Sequence, residues 1–375
     1  MRQLYLPAIL PTTLHDKFGL HPVNWMDPKA KGTAAYYPHA LISFFHWRSH
    51  QRIFTPDVHI FGDSGGYSIA TVGAEIDPIE VMWWQIKNCS TGCILDVPPF
   101  ILRESFGSVL GGSAATNWKE ALRLTLLNTE RAMPIYLDAL DRGEDFRWWG
   151  VAHGETDSQL EEWHGRVSEI YPFDHPGEGW ALKPHPSNNV VALARLLRFC
   201  STVEIRNAHF LQMTGFPALF TLFALGPDHL DFASYDSTTP IIKGNKRITW
   251  SQKENGLRII EISEVSREGE TFARDFLRTC PCLSCEWMRI DLPDVKPELL
   301  SEYYKYRMCF HNVLIGLETY QLMEKFVQDN PLKALKQKLK HRFGPVMRAI
   351  GGIGEGLQEA QIPQGAPQDL LDMLK

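Results

Sequence analysis

The sequence lacks the signals of a membrane-spanning, secreted or strongly basic protein. No apolar run approaches the roughly 20 residues of a membrane-spanning helix, and the opening MRQLYLPAILPTT, interrupted by two prolines, is a poor signal peptide. Basic residues are not in excess, because the formal net charge is −6. Bulk electrostatic attraction to nucleic acid is therefore excluded, and any nucleic-acid contact must use a local basic patch.

The sequence also has no internal repeat and no low-complexity segment, and its seven cysteines are an odd number. Several cysteines lie close together near position 280, which favours metal binding in a reducing compartment over a disulfide framework. We therefore expect a cytoplasmic protein. Its 375 residues suit one large domain with an appendage, or two smaller domains.

Short apolar runs that end in a polar or Gly-rich turn recur along the first 250 residues, with helix-like segments between them. The runs are His59–Gly62, Cys93–Leu95, Trp148–Ala152, Gly179–Leu182, His209–Gln212 and Leu230–Ala233, and the clearest helical segments are Thr116–Arg131, Ser158–Ile170 and Asn189–Phe199. This alternation predicts a parallel sheet with helical crossovers. The number of units favours a (β/α)8 barrel over an open sheet.

Most of these runs end in a residue that can take part in chemistry. The residues are Asp63, Asp96, His153, Lys183, Gln212 and Asp231. Barrel enzymes build their active sites at the carboxyl ends of the strands, so this distribution predicts a site at that end. Polar residues commonly follow any strand, and longer motifs are therefore more specific indicators of function.

A cysteine cluster of the form C-x-C-x2-C lies at Cys280, Cys282 and Cys285. Three thiols within six residues predict a zinc site, and a closed tetrahedral site needs a fourth ligand. Cys309 and His311 are the candidates, and spacing leaves the choice between them open. A Zn²⁺ ion with all four positions filled by protein is structural, because catalysis needs an open position.

The pattern predicts three regions along the chain. Residues 1–250 form the barrel core, and residues 251–330 form a zinc-binding subdomain and the barrel helix that follows it, with a long helical pattern from about Glu302 to Gln328. Residues 331–375 form a basic amphipathic helix and a loose tail. Two basic stretches, Lys243–Arg247 and Lys333–Arg342, are candidates for phosphate contacts, although the second also fits a solvated helix face.

Two motifs together resemble the tRNA-guanine transglycosylase family. Asp63-Ser64-Gly65-Gly66-Tyr67 follows a predicted strand and is similar to the family's DSGGF or DSGGY motif, and a His-Asn pair begins 26 residues after the last clustered cysteine. The family has a (β/α)8 barrel with a zinc-binding insertion near its C-terminal end. Its ligands are three Cys at this spacing and a His before Asn, so the resemblance selects His311 as the fourth ligand.

Further segments resemble the family in the same order along the chain. Asp96 in ILDVPP corresponds to a second aspartate that reads the base, and Gly150–Gly154 resembles the family's GIVQG segment with His153 in place of Gln. Leu230–Tyr235 resembles the archaeal FDSASY segment, which implies that Asp231 is the nucleophile. His153 is then either a hydrogen-bond donor to the base or a packed histidine at a strand end.

The resemblance also implies roles for the residues of the DSGGY motif. Asp63 exchanges a proton with the base, Tyr67 stacks on it, and Gly65 and Gly66 let the backbone approach closely. The expected reaction is a base exchange through a covalent aspartyl-glycosyl intermediate, as in retaining glycosidases. The protein is thus expected to be a pentosyltransferase that takes a free 7-deazaguanine base, with no membrane partner, and the family's dimerisation through the zinc region is compatible with a homodimer.

Departures from the family pattern concern the tRNA substrate. Ser68 stands where the family has Gln, Leu182-Lys183-Pro184 replaces a Gly-Gly pair, and Tyr235–Pro240 replaces the bacterial tRNA-reading loop. These changes make the chain more similar to the divergent branch that replaces guanine in DNA with a 7-cyano- or 7-aminomethyl-type 7-deazaguanine. The alternatives are a tRNA-guanine transglycosylase and a catalytically silent nucleic-acid-binding member, and the presence of both Asp63 and Asp231 argues against the second.

Overall fold

The structure is a computed structural model of the 375-residue chain. It describes residues 1–9, 21–22, 24–49, 57–99, 118–183, 189–213, 215–253, 258–263, 272–329 and 331–351. The loose tail expected at the C-terminus, beyond residue 351, lies outside the described residues. Among those described, no helix is both long enough and apolar enough to cross a membrane.

The strands fall into one large sheet and one hairpin. Their bounds are β1 Arg2–Pro7, β2 His39–Ser43, β3 His59–Asp63, β4 Thr91–Cys93, β5 Arg147–Ala152, β6 Gly179–Leu182, β7 Asn207–Phe210, β8 Phe232–Ser237, β9 Ile248–Lys253 and β10 Arg258–Ser263. β9 and β10 pair antiparallel, with Ile248 opposite Ser263.

The eight-stranded sheet has the order β1-β8-β7-β6-β5-β4-β3-β2 and is parallel. A further parallel bridge joins Ala8, directly after β1, to Leu41 in β2, and these are the two strands at the ends of that order. The predicted parallel sheet is therefore confirmed, and its strand order is that of a (β/α)8 barrel.

Helices connect the strands of the sheet, as parallel pairing requires. Their bounds are α1 Phe44–Trp47, α2 Gly66–Val72, α3 Pro78–Asn88, α4 Trp118–Asp141, α5 Asp157–Ser168, α6 Val190–Thr202, α7 Phe216–Leu225, α8 Thr239–Asn245, α9 Phe272–Thr279, α10 Leu283–Asp291, α11 Leu300–Asp329, α12 Pro331–Leu339 and α13 Phe343–Gly351. Side chains cap the first turns of α3, α5 and α6. Thr156 and Gln159 form a capping box at α5, and Asn189 accepts from two backbone N–H groups of α6.

Most of the predicted elements are present with shifted ends. β6 matches its prediction, whereas the run predicted at Leu230–Ala233 overlaps only the first two residues of β8, which begins at Phe232 and continues through polar residues to Ser237. The strand interiors are buried, and Trp148 and Trp149 of β5 belong to the core. The extension of β8 moves its carboxyl end further along the chain, and this decides which aspartate reaches the site.

The chain divides into two compact units, neither of them continuous in sequence. The first consists of Met1–Leu4, Gly62–Asp236 and Glu324–Lys375, and the second of Tyr5–Phe61 and Ser237–Met323. The carboxyl ends of β3 to β7 and most of β8 lie in the first unit. The clustered cysteines and His311 lie in the second unit.

Candidate functional site

The DSGGY segment turns the chain sharply from β3 into α2. Asp63 is the last residue of β3, Ser64 is fully buried, and Gly65 has a φ of 86°, a left-handed conformation that glycine adopts at low cost. Gly66 opens α2 so close to β4 that a Cβ there would lie 2.3 Å from the Asp96 carbonyl oxygen. A side chain at this position would force the two strand ends apart.

Asp96 lies three residues beyond β4 and is held from two sides. The buried His153, directly after β5, donates from Nε2 to Asp96 Oδ2 at 2.7 Å, and Ser64 Oγ donates to Asp96 Oδ1 at 3.3 Å. The His153 ring packs edge-on against Trp163, with ring centroids 5.0 Å apart. His153 is thus both a packed strand-end residue and a partner of a carboxylate.

Lys183 follows β6 and lies among the carboxylates of this edge. Burial lowers the pKa of Lys183, and the negative charges of Asp236, Asp96 and Asp63 act in the opposite direction. Its ammonium donates to Gln212 Oε1 at 2.9 Å and lies 5.9 Å from the centroid of the Tyr67 ring. One cation therefore faces three carboxylates that come from three different strands.

Asp236 is the carboxylate that the sequence reasoning missed. It is buried near the carboxyl end of β8, and its Oδ1 accepts a hydrogen bond from the Gln212 backbone N–H at 2.6 Å. Oδ1 also lies 3.3 Å from Nε2 of the fully buried His209 in β7. Gln212 has a φ of 56°, a left-handed conformation that is uncommon for a residue with a side chain.

Asp231, the predicted nucleophile, lies at the other end of β8. It precedes the strand and is exposed, its backbone N–H donates to the Arg206 carbonyl ahead of β7, and its carbonyl accepts from Arg2. At about 3.3 Å per residue, it is roughly 16 Å from Asp236 along the strand. The structure therefore does not bring Asp231 together with Asp63 and Asp96, because β8 starts where the sequence reasoning expected it to end.

Tyr67 is at the rim of this group. It is the second residue of α2, 49% of its side chain is exposed, and the Lys183 ammonium approaches its ring. Asp96, His153 and Asp236, by contrast, are all at least nine-tenths buried. An aromatic face beside buried carboxylates suits a planar ligand with polar edges.

Cys93, the last residue of β4, is buried beside two of these carboxylates. Burial raises the pKa of the Cys93 thiol well above its ordinary value, and the charges of Asp63 and Asp96 raise it further. The thiol is therefore neutral at physiological pH, and it is not a nucleophile. Carboxyl groups near one lysine can instead supply a nucleophile and a group that exchanges a proton in the same site.

The second unit contains a group of three cysteines and one histidine that can hold a metal ion. The ligand atoms of Cys280, Cys282, Cys285 and His311 all lie within 4.8 Å of one another. His311 Nδ1 is 3.7, 3.2 and 3.4 Å from the sulfur atoms of Cys280, Cys282 and Cys285 respectively. Ligands at about 2.0–2.3 Å around one tetrahedral ion would be separated by about 3.5 Å, so these side chains fit such an ion.

The surroundings of the cluster orient its histidine. His311 is fully buried, and its Nε2 donates to the Trp250 carbonyl at 2.7 Å, which leaves the Nδ1 lone pair directed at the sulfur atoms. Hydrogen bonds from Cys282 and Cys285 lower the pKa of Cys280, while the same kind of contact from Cys280 raises that of Cys285. Cys309, the alternative ligand, instead faces the Ile241 carbonyl at 3.5 Å.

Comparison of the chain with protein-family models and with curated proteins finds no match in either. The resemblance to guanine transglycosylases therefore remains a prediction that rests on the motifs and on the geometry above.

Proposed function

We propose that the protein is a base-exchange transglycosylase that replaces guanine in DNA with a 7-deazaguanine. The observation that carries the proposal is that Asp63, Asp96 and Asp236 lie at the sheet edge of Lys183, whose ammonium donates to Gln212, the residue whose backbone N–H holds Asp236. Breaking the bond between C1′ and N9 of a nucleoside without other cofactors needs a nucleophile for C1′ and a proton donor for the departing base. Three buried or half-buried carboxylates at one sheet edge supply both groups.

For the first displacement, we assign the role of nucleophile to Asp236 instead of Asp231. Gln212 and His209 both contact Oδ1 of Asp236, so Oδ2 is the oxygen that attacks C1′. The C1′–N9 bond breaks with its electron pair going to N9, and guanine leaves with a proton that Asp63 supplies. A covalent glycosyl ester with Asp236 remains.

The second displacement reverses these roles. A 7-deazaguanine enters the same place, transfers its N9 proton to the Asp63 carboxylate and attacks C1′ from N9. The ester bond to Asp236 breaks and restores the carboxylate. Two inversions leave the configuration at C1′ unchanged, and the overall exchange needs neither ATP nor an oxidant.

Recognition of the base follows from hydrogen-bond type. Guanine presents N1–H and N2–H2 as donors, and the Asp96 carboxylate is an acceptor. His153 already donates to Asp96, so we assign it to orienting that carboxylate. Lys183 then provides the positive charge beside the base, and Tyr67 covers its face.

We further propose that the Cys3His cluster holds a structural Zn²⁺ ion. Three thiolates and one imidazole are a donor set that zinc favours, and four protein ligands leave no position for a substrate. The ion would link α10, which contains Cys285, to α11, which contains His311. The β9–β10 hairpin enters the same link through the Trp250 carbonyl, which His311 contacts.

A label-release assay tests the proposed function. Duplex DNA or tRNA with labelled guanine is incubated with the protein and either 7-cyano- or 7-aminomethyl-7-deazaguanine, and released label is measured. Release from DNA alone is expected. Release from tRNA alone would assign the protein to tRNA modification, and binding of both polymers without release would indicate a catalytically silent member of the family.

A further inference from the structure

We infer that a basic surface formed by Lys336–Arg342, at the edge of the sheet that carries the candidate site, binds the phosphodiester backbone of the nucleic acid beside the target nucleotide. The inference deepens the proposed function and rests on it. We call this surface the basic turn. It contains Lys336, Lys338 and Lys340, followed by His341 and Arg342, and all but Lys338 are exposed.

The charge of this region contrasts with that of the whole chain. The chain has a formal net charge of −6, whereas α12, the basic turn and α13 contain no Asp or Glu. The helices on which they pack, α6 and α7, contain none either. Arg195 and Arg198 of α6 are already paired with Asp157 of α5, so among the described residues most of the remaining positive charge of these helices belongs to the basic turn.

The packing places the basic turn on the same side as the candidate site. In a parallel sheet, each helix begins near the carboxyl end of the strand before it. α7 therefore begins beside Gln212, and Lys338 lies over its first two turns, with Nζ 5.0 Å from the Phe220 ring centroid and 5.9 Å from that of Phe216. The Lys338 end of α12 is thus at the edge that carries Lys183 and Asp236.

The chain then turns sharply and stays on the outer layer of helices. Lys340 has a φ of 50° and opens a 3-10 turn through Arg342, after which α13 packs on α6. α6 follows β6, whose end carries Lys183. The exposed cations therefore lie above the two helices that flank the strands of Lys183 and Gln212.

The apolar side of α12 argues against a membrane surface as the partner. Ala334, Leu335 and Leu339 are buried against the protein, so the helix has no apolar face to insert among lipids. Exposed cations on a helix that cannot insert suit a polyanion. A nucleotide drawn into the candidate site leaves its neighbouring phosphates outside the sheet edge, where these cations lie.

The test compares two triple variants with equal change of charge. Lys336→Gln, Lys340→Gln and Arg342→Gln together neutralise the basic turn. The control neutralises Lys87, Arg166 and Arg206, which lie at or near the opposite edge of the sheet. Lys87 is at the end of α3, Arg166 is at the end of α5, and Arg206 lies ahead of β7. Binding of fluorescent duplex DNA, tRNA and anionic phospholipid vesicles is measured by anisotropy or sedimentation, without any added base.

We expect the basic-turn variant to bind nucleic acid at least about tenfold more weakly than wild type and the control to bind as wild type does. The slope of log affinity against log salt should become shallower by about three, one for each phosphate that the variant no longer neutralises. Weaker binding of one polymer alone assigns the surface to that polymer. An unchanged salt slope, or an effect confined to vesicles, would overturn the inference.

A further variant distinguishes weaker binding caused by lost charge from weaker binding caused by misfolding. Lys336→Arg with Lys340→Arg keeps the charge and should bind as wild type does. Binding is measured without an added base, so its outcome does not depend on base exchange. A protein that binds nucleic acid through the basic turn but releases no guanine in the label-release assay would refute the proposed function and leave this inference standing. A protein that exchanges bases with no effect of the basic turn would do the reverse.

Discussion

Replacement of Asp236 by Asn is the sharpest test of the chemistry. The change keeps an oxygen at the position of Oδ1, which accepts the backbone hydrogen bond from Gln212 at 2.6 Å, and removes the negative charge. We expect little loss of stability, at most about 1–2 kcal/mol for one charge-assisted hydrogen bond. The nucleophile, however, is removed completely.

The expected effect on rate is large. Loss of a nucleophile in a well-characterised hydrolase costs about 10⁶-fold in kcat, and we expect Asp236→Asn to lower kcat/KM for guanine release by at least about 10⁴-fold. That corresponds to about 5.5 kcal/mol of transition-state stabilisation, at 1.36 kcal/mol for each factor of ten. Asp231→Asn is the matched control, because Asp231 is exposed and precedes the same strand.

Two assays report the result. The first measures guanine release from labelled DNA, and the second measures the covalent protein–DNA adduct by intact mass when the incoming base is omitted. The wild type and Asp231→Asn should form the adduct, and Asp236→Asn should not. If Asp236→Asn releases guanine within tenfold of wild type while Asp231→Asn is inactive, the assignment from the geometry of β8 is refuted.

Three further predictions concern a cation, a histidine and the metal. Lys183→Met should remove the basic limb of the pH profile of kcat/KM, because in the wild type burial lowers the pKa of Lys183 below its ordinary value and the cation beside the base is lost on deprotonation; an unchanged basic limb would contradict this. Burial lowers the pKa of His164, packed on Trp180, to about 4. The unfolded state, with an ordinary pKa near 6.5, therefore binds the proton first, and at most about 3 kcal/mol of stability is lost as the pH falls from about 6.5 to about 4. Urea unfolding of His164→Phe across that range should show a smaller pH dependence than wild type, and an equal dependence would argue against it. Cys282→Ser should abolish stoichiometric zinc measured by elemental analysis of the purified protein, whereas Cys309→Ser should retain it; the opposite pattern would show that the wrong ligand was chosen.

The residues at the strand ends could be predicted from the sequence, because a short apolar run followed by turn residues marks where a buried strand ends. Asp63, Asp96, His153 and Lys183 were all placed at the correct ends of β3 to β6 by short apolar runs that a polar residue or glycine follows. The runs alone could not show that these ends meet around one lysine. That depends on the strand order and on the burial of the polar groups.

The register of β8 could not be read from apolar residues. Ser234, Asp236 and Ser237 are buried although they are polar, because their side chains face other polar groups, as Ser234 does with His209 at 2.9 Å. A prediction that treats only apolar residues as buried therefore places the end of this strand too early in the chain. The signal that could have found Asp236 is the sequence YDSTTP, in which an aspartate stands directly before the turn chemistry of Ser, Thr and Pro.

Gln212 links two parts of the site that would otherwise be independent. Its backbone N–H fixes the orientation of Asp236, its side chain receives the ammonium of Lys183, and both contacts depend on one left-handed φ angle. Changing that single torsion would release the carboxylate and the cation at the same moment. The position of the attacking oxygen and the position of the neighbouring positive charge therefore depend on the same residue. A change in the segment after β7 that alters one of these positions also alters the other.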